Sequence, residues 1–194
     1  MKVGIYAHCT IDTIVHGDNS YEVPGGPACY CSLTAVNQKF NVNLHTKHGV
    51  DFPLIEFLQQ NKISMQNSLS DKETTRFKIL LNGSERELFI QNRCEALEFA
   101  DEDNDGVIIS PVYDEITNEL FKKIKQSTDF TLLDPQGFLR YHDSANKISL
   151  KQIKLELDGI SAIKVNSDEL LSLTGVDNDA GLLLLQKIGI ENVI

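Results

Sequence analysis

The stretch GVIISPVYDEITNELFKKIKQSTDFTLL, residues 106–133, sets an apolar run, Val107-Ile108-Ile109, ahead of a helix-patterned segment from Asp114 to Lys125 and a second run, Phe130 to Leu133. Short unbroken apolar runs are what strands buried on both faces require, and a helix between them is the crossover that parallel strands need. The alternation continues, with a helix expected near Leu150 to Leu157, a strand over Ala162 to Val165, and helices from Ser167 and Asp179. Glu191-Asn192-Val193-Ile194 reads as the opening of one more strand, so the polypeptide is expected to run on past Ile194. An α/β architecture follows, with a mostly parallel central sheet and helices on both faces.

Toward the N-terminus, Lys2 to Ala7 reads as a buried first strand, and Ile11 to Val15 with Ser20 to Val23 as two short strands around His16-Gly17-Asp18-Asn19. A helix is expected from about Ala28 to Lys39, a strand over Asn43 to Lys47, and a helix over Asp51 to Gln60 with Asp51 as its cap and Pro53 in its first turn. Thr74 to Leu81 and Glu85 to Arg93 alternate as strands, and Asn82-Gly83 between them is a strong hairpin signal.

The 194 residues are sufficient for one sizeable core. Hydrophobic residues make up 41% and charged residues 24%, and no apolar run approaches a bilayer span, so neither a membrane segment nor a signal peptide is expected and a cytoplasmic location is the default. The net charge of −10 argues against a nucleic-acid footprint, which needs clustered Lys and Arg, but leaves room for a nucleotide held by a few local donors. Cys9, Cys29, Cys31 and Cys94 lack paired spacing and read as reduced core thiols. Asp101 to Gly106 imitates half a calcium loop, but Val112 stands where the closing Glu belongs. Neither a Walker lysine motif nor a Gly-x-Gly-x-x-Gly after the first strand is present.

Ligands of open α/β sheets sit at the carboxyl ends of the strands. Asp12 and Asp134 fall at that edge, and each is equally explained as a turn or helix cap. Gly25-Gly26-Pro27 is either a tight turn before a core helix or a place where the backbone closely approaches a ligand. Asn166-Ser167-Asp168-Glu169 has the spacing of a capping box, and the same spacing suits an amide and a carboxylate that order water around Mg²⁺ and a phosphate.

Taken in order, Asp12, Gly25-Gly26-Pro27-Ala28, Thr46-Lys47-His48-Gly49-Val50-Asp51, Asp134 and Asn166-Ser167-Asp168-Glu169 resemble the ribokinase/PfkB family of small-molecule kinases over the whole of the given sequence. The resemblance implies a ribokinase-like three-layer α/β/α unit over residues 1–194, with a small β lid from segments at about 12–24 and 74–93 and a C-terminal part missing. It also implies transfer of a phosphoryl group from Mg-ATP to a hydroxyl of a sugar or polyol. Asp12, Gly25, Gly26, Tyr30, Asp134, Gln136 and Arg140 are then the expected substrate-binding residues. Asn166 and Glu169 are expected in the nucleotide and phosphate region, with Glu169 acting on Mg²⁺ through water. Tyr30 stands near where many sugar kinases of the family carry Asn. The family's Gly-x-Gly-Asp segment, with the catalytic Asp, is absent and expected beyond Ile194, so the 194 residues are expected to be inactive in transfer. Thr74-Thr75-Arg76-Phe77, Cys94-Glu95 and Asp134 to Arg140 are most similar to the myo-inositol-kinase-like branch. A nucleoside kinase and a non-catalytic ligand-binding domain of the same fold are the alternatives. The lid's exposed edge implies a possible homodimer.

Overall fold

The computed structural model describes residues 1–194. Its central sheet has seven strands, all paired in parallel. In the middle, β1 (Lys2–Tyr6) lies between β4 (Asn41–His45) and β8 (Gly106–Ile109). Beyond β4 is the short β5 (Ser64–Met65); beyond β8 come β9 (Thr131–Leu133), β12 (Ala162–Ile163) and the edge strand β13 (Asn192–Val193).

The unbroken apolar runs are explained by burial on both faces. Val107 and Ile109 pack into one core with Tyr6, Leu133 and Ile163, while the intervening Ile108 packs into the other, beside Val3 and Ile5. Helices α1 (Pro27–Asn37) and α2 (Ile55–Gln60) cover the second face through Ala28, Cys29, Ala35 and Leu58. The first is covered by α3 (Asn118–Lys125), α5 (Ser167–Thr174) and α6 (Asn178–Lys187) through Phe121, Ile124, Leu170 and Leu185. The expected three layers are present.

The two expected hairpins form one separate sheet. β2 (Thr10–His16) pairs antiparallel with β3 (Asn19–Gly25), and β6 (Thr75–Asn82) with β7 (Glu85–Asn92); β2 and β6 then join in parallel, giving the order β3-β2-β6-β7. The turn between β6 and β7 is one residue further on than the Asn-Gly signal implies. Asn82 pairs with Glu85, so Gly83-Ser84 is the loop, with Gly83 supplying the positive φ of 63°. The start of this sheet is tied to the central one through His8. Its Nε2 donates to Glu95 O at 2.8 Å, which fixes the tautomer and leaves Nδ1 to accept from the Thr75 hydroxyl at 3.0 Å. Burial holds the His8 imidazole below its ordinary pKa, against the pull of Glu115, which fits this neutral pairing.

Three expected helices change. Residues 151–157 are not helical: α4 (Gln136–Leu139) leads into a small hairpin of β10 (Arg140–His142) and β11 (Ile148–Leu150), and an irregular segment follows. Its backbone groups find tertiary partners instead of a helical ladder: Lys151 N donates to Leu139 O, Ile153 N to Ser172 O, and the buried Lys125 ammonium to Glu156 O and Asp158 O. The helix expected from Asp114 begins at Asn118, where the Thr117 hydroxyl caps it by accepting from Leu120 N. The helix expected from Asp51 begins at Ile55. Asp51 is no cap; its carboxylate accepts from Thr74 N (3.0 Å), the Thr74 hydroxyl (2.7 Å) and Arg76 Nη2 (2.8 Å). Arg76 also bonds Glu22 at 2.8 Å, so this chain of contacts runs from the body across β6 to β3.

Candidate functional site

A cleft of about 310 Å³ opens between the carboxyl edge of the central sheet and the four-stranded sheet. Each wall follows from the topology. Thr10 and Asp12 come from β2, Phe77 and Ile79 from β6, and Arg86 and Leu88 from β7. Gly26, Pro27, Tyr30 and Cys31 come from the start of α1, Ser110 and Val112 from the loop after β8, and Asp134, Gln136 and Arg140 from the segment after β9. Six residues singled out in the sequence, Asp12, Gly26, Tyr30, Asp134, Gln136 and Arg140, thus line one cavity.

Asp12 lies within β2, paired with Val23 and Phe77. Its Oδ1 is buried without a hydrogen-bond partner, as is the neighbouring Thr10 hydroxyl. A buried polar atom left unmatched costs about 1–3 kcal/mol, so these two adjacent atoms leave one cleft wall with hydrogen-bonding capacity that the protein itself does not use well. Burial raises the Asp12 pKa above the usual carboxylate range; the adjacent Thr10 hydroxyl pulls hardest the other way, close to the carboxylate though outside good hydrogen-bond geometry, followed by Arg86 and Arg140. Asp134 is already engaged: Oδ1 accepts from Gln136 N at 3.3 Å and Oδ2 lies 3.5 Å from Lys164 Nζ. Arg140 donates from Nη1 to Val112 O at 2.9 Å and lies over the Phe77 ring at 5.6 Å. Tyr30 presents a largely exposed ring at the rim.

Gly25 does not line the cleft. It closes β3 in a buried position, and a Cβ there would meet the Tyr30 hydroxyl at 3.3 Å, so it seats Tyr30 while Gly26 faces the cavity.

Asn166 and Glu169 also stand apart from the cleft. Asn166 Oδ1 accepts from Glu169 N, and Glu169 Oε2 accepts from Asn166 N, both at 2.9 Å: a complete capping box at the start of α5. Lys164 links them to the cleft, with Nζ 3.5 Å from Asp134 and 3.7 Å from Glu169, and the Glu169 charge also reaches Arg140. No three His, Cys, Asp or Glu side chains are placed to hold a metal. The cap uses Asn166 Oδ1 and Glu169 Oε2 and leaves Asn166 Nδ2 and Glu169 Oε1 without protein hydrogen bonds, so it is compatible with a role of Glu169 toward Mg²⁺ through water.

Sequence reasoning missed Thr10, Arg86 and Glu115. Arg86 follows a surface turn, with nothing local to mark it. Glu115, 2% exposed, is a fixed acceptor: Oε1 takes His8 N (3.2 Å) and Val112 N (2.6 Å), and Oε2 takes Tyr113 N (2.6 Å). It pins the exit of β1 to the loop after β8, and so sets two walls of the cleft. Nothing local separates Glu115 from the neighbouring acid Asp114, which is exposed, so the sequence carried no signal for it.

No family model matches the sequence, and no curated protein matches it. Solved structures do. A sulfate complex of a pyrophosphate-dependent kinase in the ribokinase family superposes with a TM-score of 0.84 at 20% identity, over 98% of this chain and 71% of that one. The chain has the ribokinase fold. A pyrophosphate-dependent ribokinase-family kinase complexed with a pyrophosphate analog and myo-inositol gives 0.83 at 20% identity, again over 98% and 71%. Ribokinase from Thermotoga maritima gives 0.71 at 14% identity, over 100% and 70%. The cleft lies between the four-stranded sheet β3-β2-β6-β7 and the carboxyl end of the parallel sheet.

Proposed function

We propose that this chain carries the substrate-binding half of a kinase that phosphorylates a hydroxyl of a sugar or polyol. The observation that carries this reading is the buried, unpartnered Asp12 Oδ1 on a cleft wall facing Arg86 and Arg140. A carboxylate accepts hydrogen bonds from substrate hydroxyls, guanidinium groups donate to hydroxyl oxygens, and a polyol ring offers both on neighbouring carbons. The β lid encloses the bound hydroxyl on one side, which keeps water from competing for the transferring phosphoryl group.

Asp12 orients the hydroxyl. By the resemblance, removal of its proton belongs to the aspartate of a Gly-x-Gly-Asp segment, which the 194 residues do not contain. ATP is the donor the family resemblance implies; the likeness to pyrophosphate-dependent kinases supports testing pyrophosphate beside it. The same likeness, and the similarity of Asp134 to Arg140 to the myo-inositol-kinase-like branch, support a polyol as the acceptor.

Isothermal titration calorimetry with myo-inositol and ribose tests this. At least one is expected to bind, and Asp12→Asn is expected to weaken binding about 10- to 100-fold, the worth of one hydrogen bond to a charged group. Binding unchanged in Asp12→Asn, or absent for every sugar and polyol tried, would overturn the reading.

A further inference from the structure

The chain has four arginines, Arg76, Arg86, Arg93 and Arg140. Two are neutralised on the surface: Arg76 bonds Glu22 and Asp51, both at 2.8 Å, and Arg93 lies 3.6 Å from Asp114. The other two, Arg86 and Arg140, have no carboxylate oxygen within 4.0 Å, and both face the cleft. Arg140 spends one donor on Val112 O and rests over Phe77, which leaves the rest of its fork free. It is also largely desolvated: burial, with the like charge of Arg86 next, outweighs the more distant carboxylates of Glu115, Asp134 and Glu169 and brings its pKa down to about 10, so it stays cationic at neutral pH.

The acids of the cleft do not satisfy this pair. Asp134 is matched by Lys164 and by its own turn. Asp12 feels both arginines but contacts neither, and its free oxygen awaits a donor. A ligand made only of hydroxyls would satisfy Asp12 and leave both guanidinium forks without an oxyanion in direct contact, since the nearby carboxylates act on them only at a distance. Guanidinium forks pair best with planar or tetrahedral oxyanions, in bidentate geometry.

We propose that Arg86 and Arg140 form an oxyanion subsite, and that the molecule held at Asp12 is a sugar or polyol already bearing a phosphate or carboxylate group. The inference rests on the reading of the cleft as a sugar or polyol site. Its oxyanion arrives on the acceptor; the other source of the same chemistry is the phosphoryl donor, which the test separates. Arg86 stands on lid strand β7 and Arg140 on the body, so the anion also bridges lid to body.

The test is calorimetric titration of the chain with myo-inositol, an inositol monophosphate, glucuronate, inorganic phosphate and inorganic pyrophosphate. The inositol monophosphate or glucuronate is expected to bind at least about tenfold tighter than myo-inositol, with an advantage that shrinks as salt rises. Arg86→Gln, on an exposed side chain whose loss leaves the fold intact, is expected to remove most of that advantage, so that the ratio of the two affinities falls toward one whatever the change in myo-inositol binding itself. Arg140→Lys, which keeps the charge and loses the fork, is expected to remove part of it. Equal or tighter binding of myo-inositol, unaltered by Arg86→Gln, overturns the inference and leaves the sugar or polyol reading standing. Binding of phosphate or pyrophosphate alongside myo-inositol, with no gain for the substituted polyols, overturns it in favour of a donor subsite. Binding of none of the sugars or polyols overturns the underlying reading and this inference with it.

Discussion

Gly26→Ala is expected to destabilise the protein by at least about 3 kcal/mol, through backbone strain added to a collision with main chain. Gly26 precedes α1 with φ 88° and ψ 156°, a conformation essentially confined to glycine. An added Cβ would sit 2.5 Å from His8 O, 3.1 Å from Thr10 N and 3.2 Å from Thr10 Cγ2. Those atoms belong to the segment joining β1 to the lid, and His8 is anchored there by Thr75, Glu95 and Glu115, so the neighbour has little room to yield. The close approach is therefore made by the start of α1 against the segment entering the four-stranded sheet, and Pro27 and Tyr30 line the same cleft as Asp12. Gly83→Ala is the control. With φ 63° and nothing within 4 Å of the added atom, it is expected to cost only about 1–2 kcal/mol. Urea denaturation of both variants checks the contrast, and a cost at Gly26 no greater than at Gly83 would contradict the packing described.

Glu115→Ala carries the second large effect. Three buried amides, of His8, Val112 and Tyr113, lose their acceptor together, and each buried donor left unmatched costs about 1–3 kcal/mol. A loss of at least about 3 kcal/mol is expected, the loosened walls relieving part of the sum. Glu115→Gln is also expected to destabilise, because its amide nitrogen would face a backbone N–H in place of one carboxylate oxygen. Thermal or urea unfolding reports both; a change below about 1 kcal/mol for Glu115→Ala would show that the amides find other partners. Sugar and polyol binding should weaken in both variants, since Ser110 and Val112 on one wall and Thr10 on the other are held in register through this side chain.

The fold was legible where burial on both faces imposes a pattern that no other structure needs. Val107 to Ile109 and Phe130 to Leu133 were legible as strands of a covered sheet because a helical segment separates them; Ala162 to Val165 was legible from its apolar run, although a short hairpin and an irregular segment precede it in place of the expected helix. Local signals misled where tertiary partners outbid them. Asp51 has a good capping sequence but meets Thr74 and Arg76 instead, 23 and 25 residues away. Residues 151–157 have helix-forming composition, yet their backbone is claimed by Leu139, Ser172 and Lys125. The cleft divides in the same way. Asp12, Gly26 and Asp134 sit where chain topology puts ligands, and the sequence exposes that edge. Arg86 comes to the cleft only because β2 pairs with β6 in parallel and folds the second hairpin over the first, a long-range pairing with no local trace. For Asn166 and Glu169, two readings shared one spacing; the cap is present and is compatible with the other reading as well.

The most direct measurement is a titration of the ¹⁵N-labelled protein with the polyol that binds in calorimetry, followed through amide chemical shifts. The account predicts the largest shifts at Thr10, Asp12, Gly26, Tyr30, Ser110 and Gln136, on both sides of the cleft and on the lid. Shifts centred instead on the grooves beside β13, at Leu182, Asn192 and Val193, would contradict it.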